Sequence, residues 1–203
     1  MKSHSYELSY RRLTRISSKE RYPALTEHRA RLFLSHWPND SAGWLILGNA
    51  LVQMARYEEA QEAIEKSISL CPKDSKSIPL GQMGHLFRER GMYEEAASWY
   101  RKASVAEPED ATYRIFLGSV LEKEGRLREA EKTLRSAAIC PEGCIDEAYY
   151  CLGLVLRDQQ KFEEAAKCFQ EAIRLDPNYR IARRALRDVE LCLKEIKGSN
   201  GPT

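Results

Sequence analysis

Apolar and small residues return along this chain in a fixed order. Between Ser41 and Asp74, Trp44, Leu47, Gly48 and Leu51 fall at helical spacing, and after a short polar break Ala60, Ile64 and Ser67 do the same. Leu80, Met83, Gly84 and Phe87, then Ala96, Tyr100 and Ala103, repeat the scheme. So do Leu117, Gly118 and Leu121 with Ala130, Leu134 and Ala137, and again Tyr149, Leu152, Gly153 and Leu156 with Ala165, Phe169 and Ala172. The four glycines are 36, 34 and 35 residues apart, and the four leading alanines keep the same three intervals. Each unit predicts two antiparallel helices, A and B. Pro72, Pro108, Pro141 or Pro177 closes it, because proline cannot continue a hydrogen-bonded helix. A period of about 34 residues predicts stacked helical hairpins, and it turns the question of function from a reaction to something held.

The small residues need a reason. Glycine inside a helix costs about 1 kcal/mol relative to alanine, so four at one register predict a close helix crossing, with the glycine of helix A facing the alanine of helix B. Gly91 and Gly125 stand where helix A stops, as left-handed caps, while Ala55 and Gln160 hold that place in the first and last units. Glu58-Glu59, Glu94-Glu95, Glu129 and Glu163-Glu164 then open helix B, where carboxylates favour the helix dipole.

Over residues 41–179 this set of positions resembles the tetratricopeptide repeat (TPR). The resemblance implies an all-α fold, a right-handed α-solenoid of helix hairpins with units at 41–74, 77–110, 111–144 and 146–179. Four departures from the pattern would alter the superhelical twist locally. Ser75 and Lys76 are inserted, Pro79 lies in a first helical turn, Arg114 takes an aromatic position beside Tyr113, and Pro141 arrives one residue early.

The ends are less regular. Pro38 lies 34 residues before Pro72, and counting back puts Tyr10 and Leu13 at large apolar positions, with Thr14, Thr26 and Ala30 in place of Gly, Ala and an aromatic. Residues 1–40 therefore read as a divergent N-terminal unit running from residue 7; the alternative is one helix near 24–36 behind an arm. Residues 180–197 read as an amphipathic capping helix. Ile181, Ala185, Leu186, Val189, Cys192, Leu193 and Ile196 share one face, and Arg183, Arg184, Arg187, Asp188 and Lys194 the other. Residues 198–203 read as a disordered tail.

Charge is unevenly placed along the 203 residues, although the net charge is only +2. Residues 1–40 hold 8 Lys/Arg against 4 Asp/Glu, residues 180–203 hold 6 against 3, and the middle holds 18 against 23. The basic stretch Arg11, Arg12, Arg15, Lys19 and Arg21 reads first as a solvated helix face; its other reading is contact with an acidic partner or entry into an organelle. Basic residues are not massed along the array, which argues against nucleic acid. No segment approaches 18 apolar residues, so no membrane span is expected, and no secretory signal is legible. Six cysteines lack zinc-knuckle spacing even at Cys140-Pro-Glu-Gly-Cys144, so they read as buried or incidental thiols in a reducing, cytoplasmic setting, with no metal and no cofactor.

No catalytic motif is present and no catalytic residue is assigned; His85 alone among the histidines falls in the central array. The resemblance implies a concave surface lined by helix A. In the first unit that surface holds Leu45, Asn49, Val52 and Gln53, and in the second Gln82, His85, Arg88 and Glu89. The third offers Thr112, Ile115, Phe116, Ser119 and Glu122, and the fourth Glu147, Tyr150, Leu154 and Asp158. Amides, a histidine, aromatics and both charge signs suit an extended peptide or a partner helix, although some of these residues would serve only to pack neighbouring A helices together. The carboxylate clamp of certain TPR co-chaperones is not expected. Asn49 matches its register, but Leu45, Gln82, Thr112 and Phe116 occupy its other places and supply no cation. The favoured reading is a non-enzymatic adaptor that binds protein or peptide as a monomer or weak homo-oligomer. The alternative is a structural protein stacking end to end. An initial Met and a capped C-terminus count against a fragment of a larger transferase.

Overall fold

A computed structural model of the chain describes residues 4–17, 22–72 and 75–199. Those residues form eleven helices and no strand: α1 (His4–Ser17), α2 (Pro23–His36), α3 (Ser41–Gln53), α4 (Tyr57–Leu70), α5 (Ser77–Glu89), α6 (Tyr93–Ala106), α7 (Thr112–Lys123), α8 (Leu127–Ala137), α9 (Ile145–Asp158), α10 (Phe162–Leu175) and α11 (Arg180–Ser199). They gather into two compact units, residues 1–99 and 100–203, and the division falls inside α6.

In the first unit α2, α3 and α4 pack in sequence around Phe33, Leu47, Leu51 and Ile64, all nearly inaccessible. Helix α1 lies against α2. Its Tyr6 ring meets Phe33 and Trp37 at 5.6 and 5.5 Å, and its hydroxyl donates to Asp40 Oδ2 at 2.6 Å. Asp40 also caps α3 by accepting from the Gly43 N–H at 2.8 Å, so one carboxylate fixes a helix start and ties α1 to it. Lys19, Arg21, Lys73 and Asp74 lie outside the described residues.

In the second unit α7–α8 and α9–α10 are hairpins, and α11 lies along α10 and touches α9. Leu121, Leu134, Leu156 and Phe169 fill its core. The segment leading into α7 is stitched to the one leading into α9: Ala111 N–H donates to Glu142 O at 3.0 Å and Glu142 N–H to Glu109 O at 3.2 Å.

The helix A ends are closed in one way. Ala55, Gly91, Gly125 and Gln160 all have left-handed φ, at 57°, 74°, 72° and 62°. The next residue's N–H reaches back five positions each time, from Arg56 to Leu51 O, Met92 to Phe87 O, Arg126 to Leu121 O and Lys161 to Leu156 O. A side chain with a Cβ pays a steric penalty there that glycine avoids. Ala55→Gly and Gln160→Gly should therefore each raise stability by about 0.5–1 kcal/mol, measured by urea unfolding. A loss in both would show that the turns do not hold the left-handed shape.

Gly48, Gly118 and Gly153 are close-approach points, but the nearest atom each time belongs to a large side chain rather than to the alanine expected from the sequence. A Cβ on Gly118 would stand 2.5 Å from Leu134 Cγ, one on Gly153 2.5 Å from Phe169 Cε1, and one on Gly48 2.6 Å from Ile64 Cγ1. The large residue one turn beyond the alanine covers the glycine because helical side chains lean back toward the N-terminus. The alanine, itself fully buried in each case, makes room for the approach.

Arg114 explains its own departure from the pattern. Trp44 donates from Nε1 to Pro38 O at 2.7 Å, and Arg114 donates from Nη1 to Pro108 O at the same 2.7 Å and the same six-residue offset. The guanidinium takes over the aromatic residue's hydrogen bond.

The capping helix differs in detail from its sequence reading. Its buried seam is Ala182, Ala185 and Val189, while Ile181 and Ile196 are exposed and Leu186, Cys192 and Leu193 half-buried. The helix continues through Ser199; residues 200–203 of the expected tail lie outside the described residues.

Candidate functional site

Helices α3 and α5 bring five of the sequence-assigned residues to one open groove. Asn49 and Gln53 from α3, with Gln82, His85 and Arg88 from α5, line a concavity of about 810 Å³, completed by Pro23, Tyr57 and Glu89. Gln53 is exposed, and the other four are partly covered. Asn49 Oδ1 is fully shielded from solvent and accepts no hydrogen bond among the described residues. His85 is mostly buried. Loss of hydration pulls its pKa down to about 4, the Arg88 charge pushes the same way and Glu89 opposes. Arg88 Nη2 meets Glu89 Oε1 at 3.0 Å, so the rim is charge-paired while the floor at neutral pH is an uncharged imidazole and amides.

In the second unit Phe116, Ser119 and Glu122 on α7 and Tyr150 and Leu154 on α9 are all half-buried. Phe116 is already in contact with Tyr100, at 5.5 Å between rings, and with Tyr113. Ser119 donates weakly to Cys151 Sγ at 3.9 Å, joining α7 to α9. Ile115, read from the sequence as a groove residue, is instead core, enclosed with Ala111, Ala137 and Ala148. Burial raises the Glu122 pKa, with Asp158 adding to it and Lys123 opposing, and burial with Asp146 raises that of Glu147. Tyr150 packs on Phe169 and, at 5.2 Å, on Tyr179. Tyr179 was missed by the sequence reading because it follows the last hairpin, in the turn before α11; its position just after Pro177 was the available signal.

Burial pushes the Cys151 thiol up to about 12 and Cys168 to about 11, so neither is a ready nucleophile. Among the described residues no three metal-ligating side chains gather, and no helix is long and apolar enough to cross a membrane.

Comparison with known families matches TPR models at residues 42–74, 82–143 and 146–179. The chain belongs to the tetratricopeptide repeat family. Its TPR region is similar to human tetratricopeptide repeat protein 7A, 31% identical over 140 residues, which is 69% of this chain and 16% of that protein. It is also similar to the human protein O-mannosyl-transferase TMTC1, 28% identical over 131 residues, 64% of this chain and 14% of that one. The chain thus spans 14–16% of the length of these curated relatives. Among solved structures YrrB, a TPR protein with an unusual peptide-binding site, superposes with a TM-score of 0.64 at 18% identity, covering 85% of this chain and 88% of that one. TPR proteins bind protein or peptide partners and the fold is typically non-catalytic, so a protein-interaction role follows from membership.

Proposed function

We propose that the chain is a non-enzymatic adaptor whose first-unit groove holds an extended peptide or a partner helix. The gathering of amide and imidazole side chains on one open groove carries this reading: Asn49 lines it with Gln53, Gln82 and His85, and side chains of this kind bond the backbone of an extended peptide. Arg88 and Glu89 read charge at the rim. Phe116, Ser119, Glu122, Tyr150 and Leu154 form a second contact face that suits an apolar side chain. The peptide site of YrrB is a precedent on this fold. Six free thiols fit a reducing, cytoplasmic setting.

The test selects displayed random peptides on the full chain and measures the best of them, made synthetically, by fluorescence anisotropy. Asn49→Ala should weaken binding by about fivefold to tenfold while holding or raising thermal stability, because it removes an unsatisfied buried group. That opposition of signs marks a functional residue. Equal affinity in Asn49→Ala and in His85→Ala would place the peptide elsewhere and end this reading.

A further inference from the structure

Helix α11 buries Ala182, Ala185 and Val189 against α10 and α9. At about 100° per residue, the face turned away from that seam carries Arg180, Arg183, Arg184, Arg187, Leu191 and Lys194. All six are exposed, and Leu191 is 57% accessible. Four arginines of the hairpins are held differently: Arg31, Arg56, Arg126 and Arg135 each meet two carboxylates at 2.6–3.2 Å. None of the five cations on this face has an ion pair among the described residues. Like charges three and four residues apart on a helix repel, so a row of this density is more than the polar backing of a capping helix requires.

We propose that this face of α11 docks an acidic, amphipathic helical segment of a partner protein. Its carboxylates would lie over the guanidinium row, which suits planar two-oxygen recognition, and one apolar side chain would lie over Leu191. From Arg180 to Lys194 the face runs about 21 Å, four turns of a partner helix. Its width argues for a helix over a broad anionic surface. Glu190 borders the row on one side, and Asp188 and Glu195 border it on the other. A bilayer or a nucleic-acid duplex pressed onto α11 would meet those carboxylates as well as the cations; a single helix fits between them. This face is built from α11 alone, and the proposal for it does not depend on the α3–α5 groove.

The experiment uses the full chain and a fluorescent synthetic helical peptide of about 18 residues with a glutamate stripe and a central leucine. Controls are the same peptide with glutamine for glutamate, phosphatidylserine–phosphatidylcholine vesicles, and a short DNA duplex. The acidic peptide should bind at low salt and weaken as salt rises, and the glutamine peptide should not bind. Arg183→Glu/Arg187→Glu should weaken binding at least about tenfold, and Leu191→Asn about threefold or more. Arg11→Glu/Arg12→Glu, which reverses charge elsewhere, and Asn49→Ala, in the groove, should leave binding unchanged. All these arginines are exposed, so circular dichroism should show unchanged folding; Arg183→Gln/Arg187→Gln gives the same reading should the charge reversals disturb it. The proposal is overturned if the acidic peptide does not bind, if it binds the α11 variants as tightly as the wild type, or if vesicles or DNA alone are captured through the α11 arginines.

Discussion

Gly153→Ala is expected to destabilise residues 100–203 by about 2 kcal/mol, although alanine is the better helix former. Helix propensity alone would give a gain of about 1 kcal/mol at this position. Packing opposes it more strongly. The new Cβ would stand 2.5, 2.7 and 2.9 Å from three atoms of the Phe169 ring, which is fully buried and rigid. Overpacking of that kind costs about 3 kcal/mol, at the upper end of its usual range, because the ring has no free space to turn into. Urea unfolding followed by circular dichroism measures the difference. Adding Phe169→Leu to Gly153→Ala should recover part of the loss, since a branched aliphatic chain can move off the new methyl. A Gly153→Ala protein more stable than wild type would show that α9 and α10 do not cross where the structure puts them.

Acidification should weaken the first unit through His85, by on the order of 2–3 kcal/mol at pH 4. Burial, reinforced by Arg88, pulls the folded-state pKa down to about 4, while the unfolded imidazole titrates at its ordinary 6.5. Below pH 6.5 the unfolded chain takes up a proton that the folded chain refuses. Stability from this residue is therefore whole above 6.5 and is lost as pH falls toward 4. Other groups move in both directions. For Glu27, burial would raise the pKa, but hydrogen bonds from Arg31 and Arg56 outweigh it and the net shift is downward, adding to the acid loss. In the second unit the raised Glu122 and Glu147 act in the opposite sense, gaining stability as they are protonated. The measurement is thus the difference between wild type and His85→Gln across pH 4–7. The variant should show a shallower fall. Parallel curves would mean that His85 is not desolvated in the α3–α5 groove.

Much of this was written in residue types at fixed intervals. Gly91 and Gly125 announced left-handed turns, and the same register placed Ala55 and Gln160 in them, where φ is indeed positive. The A-helix residues Asn49, Gln53, Gln82, His85 and Arg88 share a groove because their spacing sets them on one face of two neighbouring helices. Side-chain direction was not legible in the same way. Spacing alone paired Gly118 with Ala130, yet Leu134 covers it; the resemblance to the repeat put Ile115 beside Phe116 in the groove, yet its side chain lies in the core.

Local chemistry along the chain was enough to decide helices, turns and the family, because a period of small and large residues has only one way to satisfy both helical hydrogen bonding and burial. Three-dimensional packing alone decided the rest. It left Asn49 Oδ1 shielded without a donor, set Tyr179 on Tyr150, and chose Ala182 over Ile181 for the buried seam of α11. Each of these depends on which neighbour comes within a few ångströms, and that is a property of helices meeting, not of the order of residues within one.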